Sequence, residues 1–189
     1  MKMIKFALPV LISLAFSLSL SAQKESDMDK LYWSAKERIT VGDFGIQTRD
    51  GSSGLSSAAF SLEYNVHGLN FMTKNFNKRV WHYMVRSASQ IKLDDHVDRY
   101  IRYQQTLFDI QEIYVRKFRK ALSENRKKFL LRNAFADELK DRIIGIDLPK
   151  HQAEYNNDTN LGKDPLKQQE WEAQILKELD ELKDYAYDK

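Results

Sequence analysis

From Asp94 to Leu122 the chain carries apolar residues at helical spacing, over a sector too broad for one packing partner to cover. Ile101, Phe108, Val115 and Leu122 recur every seven residues, and Tyr100, Tyr103, Leu107, Ile110 and Tyr114 mark an adjoining apolar face. A helix of this kind belongs at the centre of a fold, with neighbours on more than one side. Asp94 or Asp95 is placed to cap its first turn.

The residues before this helix read as strands. Phe60, Leu62, Tyr64 and Val66 alternate with Ser61, Glu63, Asn65 and His67, the period-two pattern of a half-buried strand. Leu69 to Asn75 and Arg79 to Val85 are further strand candidates, the second rich in aromatic and β-branched residues, and Gly68 suits a turn. Gln23 to Lys30 is a polar lead-in, Leu31-Tyr32-Trp33 and Ile39 to Phe44 open the apolar content, and Thr48 to Ser57 is a Gly/Ser-rich loop. After the central helix, the pattern predicts a second helix from Ser123 to about Ile144, ended by Gly145 and then Pro149. Asn156 to Gly162 is a polar loop. Asp164, with Pro165 behind it, starts a last helix whose apolar stripe is Trp171, Ile175, Leu179 and Leu182. Strands first and helices afterwards predict an α+β domain: N-terminal antiparallel strands, a central helix and two further helices.

The first 22 residues stand apart from this pattern. Met1 to Lys5 is a short basic segment, Phe6 to Leu20 is apolar, and Ser19-Leu20-Ser21-Ala22 offers a small-residue cleavage site. The apolar run is short for a membrane span and contains Pro9. The sequence therefore predicts a signal peptide over residues 1–22 and one exported domain over residues 23–189, periplasmic or secreted, without stable membrane insertion after cleavage. Removing Lys2 and Lys5 leaves 28 basic against 27 acidic side chains, which gives no electrostatic case for nucleic acid. There is no cysteine, so disulfides, thiolate metal sites, cysteine nucleophiles and a lipoprotein anchor are all excluded.

Local motifs for chemistry are sparse. His67, His82, His96 and His151 are scattered, with no H-x-x-x-H pair. Asp94 to Asp98 is the densest group of candidate ligands, and helix capping explains it more simply. Neither a G-x-S-x-G elbow nor a phosphate-binding glycine loop occurs, although a Ser-His-Asp triad assembled from distant residues stays open. The basic run Arg116 to Lys120, continuing to Lys128, reads as a solvated helix surface.

One stretch of the central helix says more. Tyr103-Gln104-Gln105-Thr106-Leu107-Phe108-Asp109-Ile110-Gln111-Glu112-Ile113-Tyr114 resembles a family of bacterial secreted zinc-dependent proteases, whose own segment reads approximately H-E-Q-G-H-F-D-I-A-E-I-Y. The likeness extends to Leu31 to Ser34 with Asp43-Phe44, to Ser57 to Tyr64, and to Trp81. It includes a C-terminal loop similar to Y-D-x-x-T-x-H-G followed by Q-x-x-W, here Asn156 to Gly162, then Gln168 and Trp171. In that frame Tyr103 stands at the first zinc-binding histidine, Gln104 at the general-base glutamate, Leu107 at the second histidine and Leu161 at a third.

These substitutions remove the expected chemistry. A catalytic zinc needs three protein ligands and an open position. Leucine has no lone pair, a tyrosine with a reference pKa near ~10 is a poor ligand at neutral pH, and glutamine cannot take a proton from metal-bound water. The resemblance thus implies a degenerate zincin-like helix with no metal, no cofactor and no catalytic residue. Glu112 is retained, as a ligand or a ligand's support in active relatives. The resemblance further implies an exported pseudoprotease that binds a protein or peptide in a cleft lined by Tyr103, Gln104, Leu107, Glu112 and Leu161. The alternative is an active secreted peptidase with non-standard ligands.

Overall fold

The computed structural model describes residues 27–49, 56–66, 76–129 and 135–187. The predicted signal peptide, the Gly68 turn, the strand candidate Leu69 to Asn75 and most of the Thr48 to Ser57 loop lie outside the described residues. The rest is an α+β fold with its strands N-terminal to its helices.

Four strands form one sheet around β4. β3 (Ser57–Tyr64) lies antiparallel along one edge of β4 (Val80–Lys92), with Tyr64 opposite Val80 and Ser57 opposite Gln90. β1 (Lys30–Tyr32) and β2 (Ile46–Thr48) share the other edge. β1 runs antiparallel opposite Tyr83 to Val85, and β2 runs parallel opposite Gln90 to Lys92. The sheet is therefore mixed, where the sequence suggested antiparallel strands throughout. The reason is the segment between β1 and β2. It is anchored by buried Ile39 and Phe44 and by a 3-10 turn at Val41–Asp43, and it doubles back to re-enter the same edge in the opposite direction.

The central helix, α1, spans Val97–Glu124. Asp94 rather than Asp95 sets its entry: the Asp94 side chain accepts from His96 N at 2.9 Å, and its carbonyl accepts from Val97 N at 3.1 Å. One side of α1 meets the sheet, where Phe108 packs with Ile39, Phe44, Met84 and Ile91, and Phe60 stacks on Phe108 at 4.9 Å. Further along, Phe118 meets Tyr64 of β3 edge-on at 5.5 Å, and Ile110, Ile113 and Leu122 join the core shared with the later helices. Both faces are covered, as the breadth of the apolar sector requires.

The predicted second helix is broken and displaced. α2 (Arg126–Phe129) is a single turn, and α3 (Phe135–Arg142) runs through a π-turn at Ile143–Asp147 into α4 (Leu148–Asp158). Gly145 and Pro149 therefore do not end a helix. Pro149 has no N–H and its ring collides with the carbonyl four residues back in a regular helix. The wider π-turn, in which Leu148 N–H reaches Ile143 O, lets the chain pass that point still helical. Asn156 to Asp158 belong to α4, so the polar loop starts at Thr159. α5 (Pro165–Glu181) begins as expected, with Asp164 Oδ1 accepting from Leu166 N and Lys167 N at 3.0 Å. Its Trp171, Ile175 and Leu179 are buried against α1 and α4, each worth roughly 1.5–3 kcal/mol of apolar burial. No described helix is long and apolar enough to cross a membrane.

Candidate functional site

Along α1, Gln105, Asp109, Glu112, Arg116 and Arg119 follow one another at alternating intervals of four and three residues. That spacing puts them on one stripe, and all five are buried. The stripe ties both ends of the described chain to the helix. Gln105 Oε1 accepts from Ile39 N at 2.7 Å, and Asp109 receives Trp33 Nε1 at 2.8 Å and pairs with Arg38 at 3.1 Å. At the other end Arg116 donates to Leu179 O at 2.6 Å and Arg119 to Tyr185 O at 3.0 Å, satisfying carbonyls at and beyond the last turns of α5.

Glu112 is the hub. Its carboxylate accepts from His82 Nε2 at 2.8 Å, Arg116 Nε at 2.8 Å and Arg119 at 3.0 Å, and it is 1% exposed. Burial pushes its pKa up, but the His82 hydrogen bond and the two guanidinium groups outweigh that and hold it down to about 2. Burial drives His82 the other way and keeps it neutral, so Nε2–H donates to the carboxylate and Nδ1 carries a lone pair. That Nδ1 is buried and has no hydrogen-bond partner. The network corrects the reading of the basic run as a solvated surface: Arg116 and Arg119 are buried ligands of Glu112, whereas Lys120 is exposed.

The positions singled out by sequence have other occupations. Tyr103 donates to Asn156 Oδ1 at 2.6 Å and stacks on Tyr155 at 5.4 Å. Gln104 Oε1 accepts from Ala58 N at 3.1 Å while its Nε2 donates to Ser56 O at 2.9 Å, so both ends of the amide are held by backbone at the start of β3. Leu107 packs at the edge of the helical core. The loop after α4 reaches this end of α1: Gly162 lies against the Tyr103 side chain, and Thr159 Oγ1 accepts from Gly162 N at 3.1 Å. Leu161 itself is 42% exposed. This donor set does not fit a zinc ion: Tyr103 and Gln104 are committed to hydrogen bonds, and Leu107 and Leu161 have nothing to donate. Glu112 lies two turns further along α1, in the buried network, so the five residues do not line one cleft.

Asn160, Leu161 and Gly162 all have positive φ, at 49°, 56° and 75°. Leu161 is the misfit among them. The left-handed region favours Gly, Asn, Asp and His, and costs other L-residues roughly 1–2 kcal/mol.

Glu112 does border a cavity, of about 210 Å³. Buried His82, Glu112 and Arg119 form its floor, Trp33 and Trp81 its half-buried walls, and exposed Tyr32 and Tyr187 its mouth. The aromatic side chains are themselves fixed: Trp33 by Asp109, Trp81 by Glu63 at 3.1 Å, Tyr32 edge-on to Tyr83 at 5.6 Å. A second concavity of about 480 Å³, between α1, α4 and α5, is lined mainly by charges of both signs, including Lys117, Lys150, Glu154 and Glu178.

No family model, curated protein or solved structure matches the chain. Its site has to be read from its own geometry. Sequence reading missed His82, Arg119 and the aromatic walls as a group. One signal was available: a buried polar stripe at four-three spacing inside an otherwise apolar helix has to meet polar partners from elsewhere. Which strand supplies them is a matter of tertiary register, which no local pattern encodes.

Proposed function

We propose that this protein is an exported, catalytically inactive counterpart of zinc-dependent proteases that works by binding. The observation that carries the reading is the state of the positions where the resemblance implies metal chemistry. Tyr103, Gln104 and Leu107 are engaged in hydrogen bonds and packing of their own. Leu161 occupies a left-handed conformation that suits histidine better. A loop some fifty residues away in sequence meets the helix at Tyr103, the juxtaposition that a ligand from each would need. Export rests on the first 22 residues of the sequence alone. The competing reading, a peptidase with unfamiliar ligands, requires three nitrogen or oxygen ligands to converge. Among the described residues no three His, Asp or Glu side chains do so.

The binding locus moves accordingly. Tyr103, Gln104 and Leu107 fill their own space, and the aromatic cavity beside Glu112 is the better-formed recess. Back-substitution tests the reading: Tyr103→His, Gln104→Glu, Leu107→His and Leu161→His together are expected to confer zinc binding that the parent protein lacks. Zinc affinity that is no better than the parent's, in a variant that still folds by circular dichroism, would contradict the assignment of these positions.

A further inference from the structure

The residues that line the aromatic cavity divide by how much of themselves they show to it. His82, Glu112 and Arg119 are only 2%, 1% and 1% exposed, so the floor presents almost no polar surface. Their hydrogen-bonding capacity is also committed within the protein. Glu112 accepts from His82, Arg116 and Arg119. Arg119 donates from each of its guanidinium nitrogens, to Val80 O, Glu112 and Tyr185 O. Of the floor's buried polar atoms His82 Nδ1 alone lacks a partner, and it is enclosed by protein, out of a guest's reach. One guanidinium against one carboxylate leaves the lining without a net charge to draw in an ion.

The surface that a guest can touch is therefore aromatic. Trp33 and Trp81 have their indole N–H groups committed to Asp109 and Glu63. Arg116 and His82 already lie against the Trp33 ring, at 5.2 Å and 6.5 Å, so Trp33 is a fixed wall. Both tryptophans offer carbon and no free donor or acceptor, while exposed Tyr32 and Tyr187 stand at the mouth. A polar group carried past them gives up water and gains no partner. Size sets the other limit. The volume of about 210 Å³ exceeds the roughly 150 Å³ that holds benzene, and it has room for one ring with small substituents.

We propose that this cavity binds one compact hydrocarbon group, of the size of a methyl-substituted benzene ring, and rejects polar guests of the same shape. This deepens the binding role proposed above and rests on that reading only for there being a ligand. The group can be a free molecule or an apolar side chain such as Phe on a partner peptide, two sources with the same recognition chemistry.

The chain has three tryptophans, and their indole N–H signals locate a guest: Trp33 and Trp81 wall the cavity, whereas Trp171 lies in the helical core. The mature wild-type protein is titrated with p-xylene, hydroquinone, pyrene and acetyl-Gly-Phe-Gly-amide while those signals are followed by NMR. p-Xylene is expected to shift Trp33 and Trp81 and to leave Trp171 in place. Hydroquinone has nearly the same shape but a hydroxyl at each end, so one is always buried without a partner, and it is expected to bind at least about tenfold more weakly. Pyrene, too large for the cavity, is expected to shift neither. A peptide that shifts the same two signals assigns the site to partner side chains, and its silence beside p-xylene binding assigns it to small molecules. Equal affinity for hydroquinone and p-xylene, binding of pyrene, no shift at saturating p-xylene, or a shift confined to Trp171 would overturn the proposal. Those failures would leave the non-catalytic reading standing, since that reading is decided by metal content.

Discussion

Gly162 sits directly on Tyr103: a Cβ added to the glycine would lie 2.8 Å from Tyr103 Cβ, and the Gly162 backbone is left-handed at φ +75°. No L-residue meets both conditions. The contact is also what joins the loop after α4 to the helix at the position where the resemblance places the first metal ligand. Gly162→Ala is therefore expected to destabilise the protein by roughly 2 kcal/mol or more, combining backbone strain with overpacking. A urea midpoint within error of wild type would show that the loop can stand off from Tyr103.

Leu161, one residue earlier, predicts the opposite sign. It is exposed and left-handed, so its side chain contributes little while its backbone is strained. Leu161→Asn is expected to stabilise by about 0.5–1 kcal/mol in the same denaturation experiment. A loss of stability would mean that the leucine makes a contact worth more than its strain.

The Glu112 network predicts a large effect from an isosteric change. Glu112→Gln leaves Arg116 and Arg119 buried beside a neutral amide, at an expected cost of about 3–5 kcal/mol. Glu170→Gln, which breaks the exposed Lys167–Glu170 pair, is expected to leave stability unchanged within error, because solvent screens the pair. Comparable losses in the two variants would contradict the hub role of Glu112.

Acid should unfold this protein in two overlapping stages. His82 and His151 are both buried, with pKa values pushed below the ordinary 6.5, so the unfolded chain takes up protons that the fold refuses. Stability is thus full above about pH 6.5 and falls as the pH drops below it. Glu112, lowered from 4.5 to about 2, adds a second loss between those values, worth roughly 3 kcal/mol in total. Asp109 opposes this, because burial raises its pKa and the fold binds its proton more readily than the unfolded chain does. Unfolding free energies are expected to stay level from pH 8 to about pH 6.5 and to decline from there to pH 3. A maximum near pH 4 to 5 would overturn this assignment.

Local pattern carried the elements well where one residue type has one consequence. The central helix, the β3 alternation, the Asp164-Pro165 start and the inward stripe of Trp171, Ile175 and Leu179 are each set by period or cap chemistry. The failures share a different cause. Pro149 reads as a stop, and only the three-dimensional continuity of α3 into α4 turns it into a reason for a π-turn. Arg116 and Arg119 read as surface charge because the sequence does not announce that Glu112 lies one and two turns away inside a buried stripe. The parallel pairing of β2 depends on how Ile39 and Phe44 fold the preceding segment back. The cavity needed three separate regions, around Trp33, His82 and Tyr187, to be brought to one helix.

The metal chemistry implied by the resemblance is, on this reading, gone from the protein. The most direct test is the zinc content of the mature protein, purified without chelators and after equilibration with excess zinc and desalting. No retained zinc is expected, because Tyr103, Gln104, Leu107 and Leu161 provide no ligand set. One tightly held zinc per chain would contradict it.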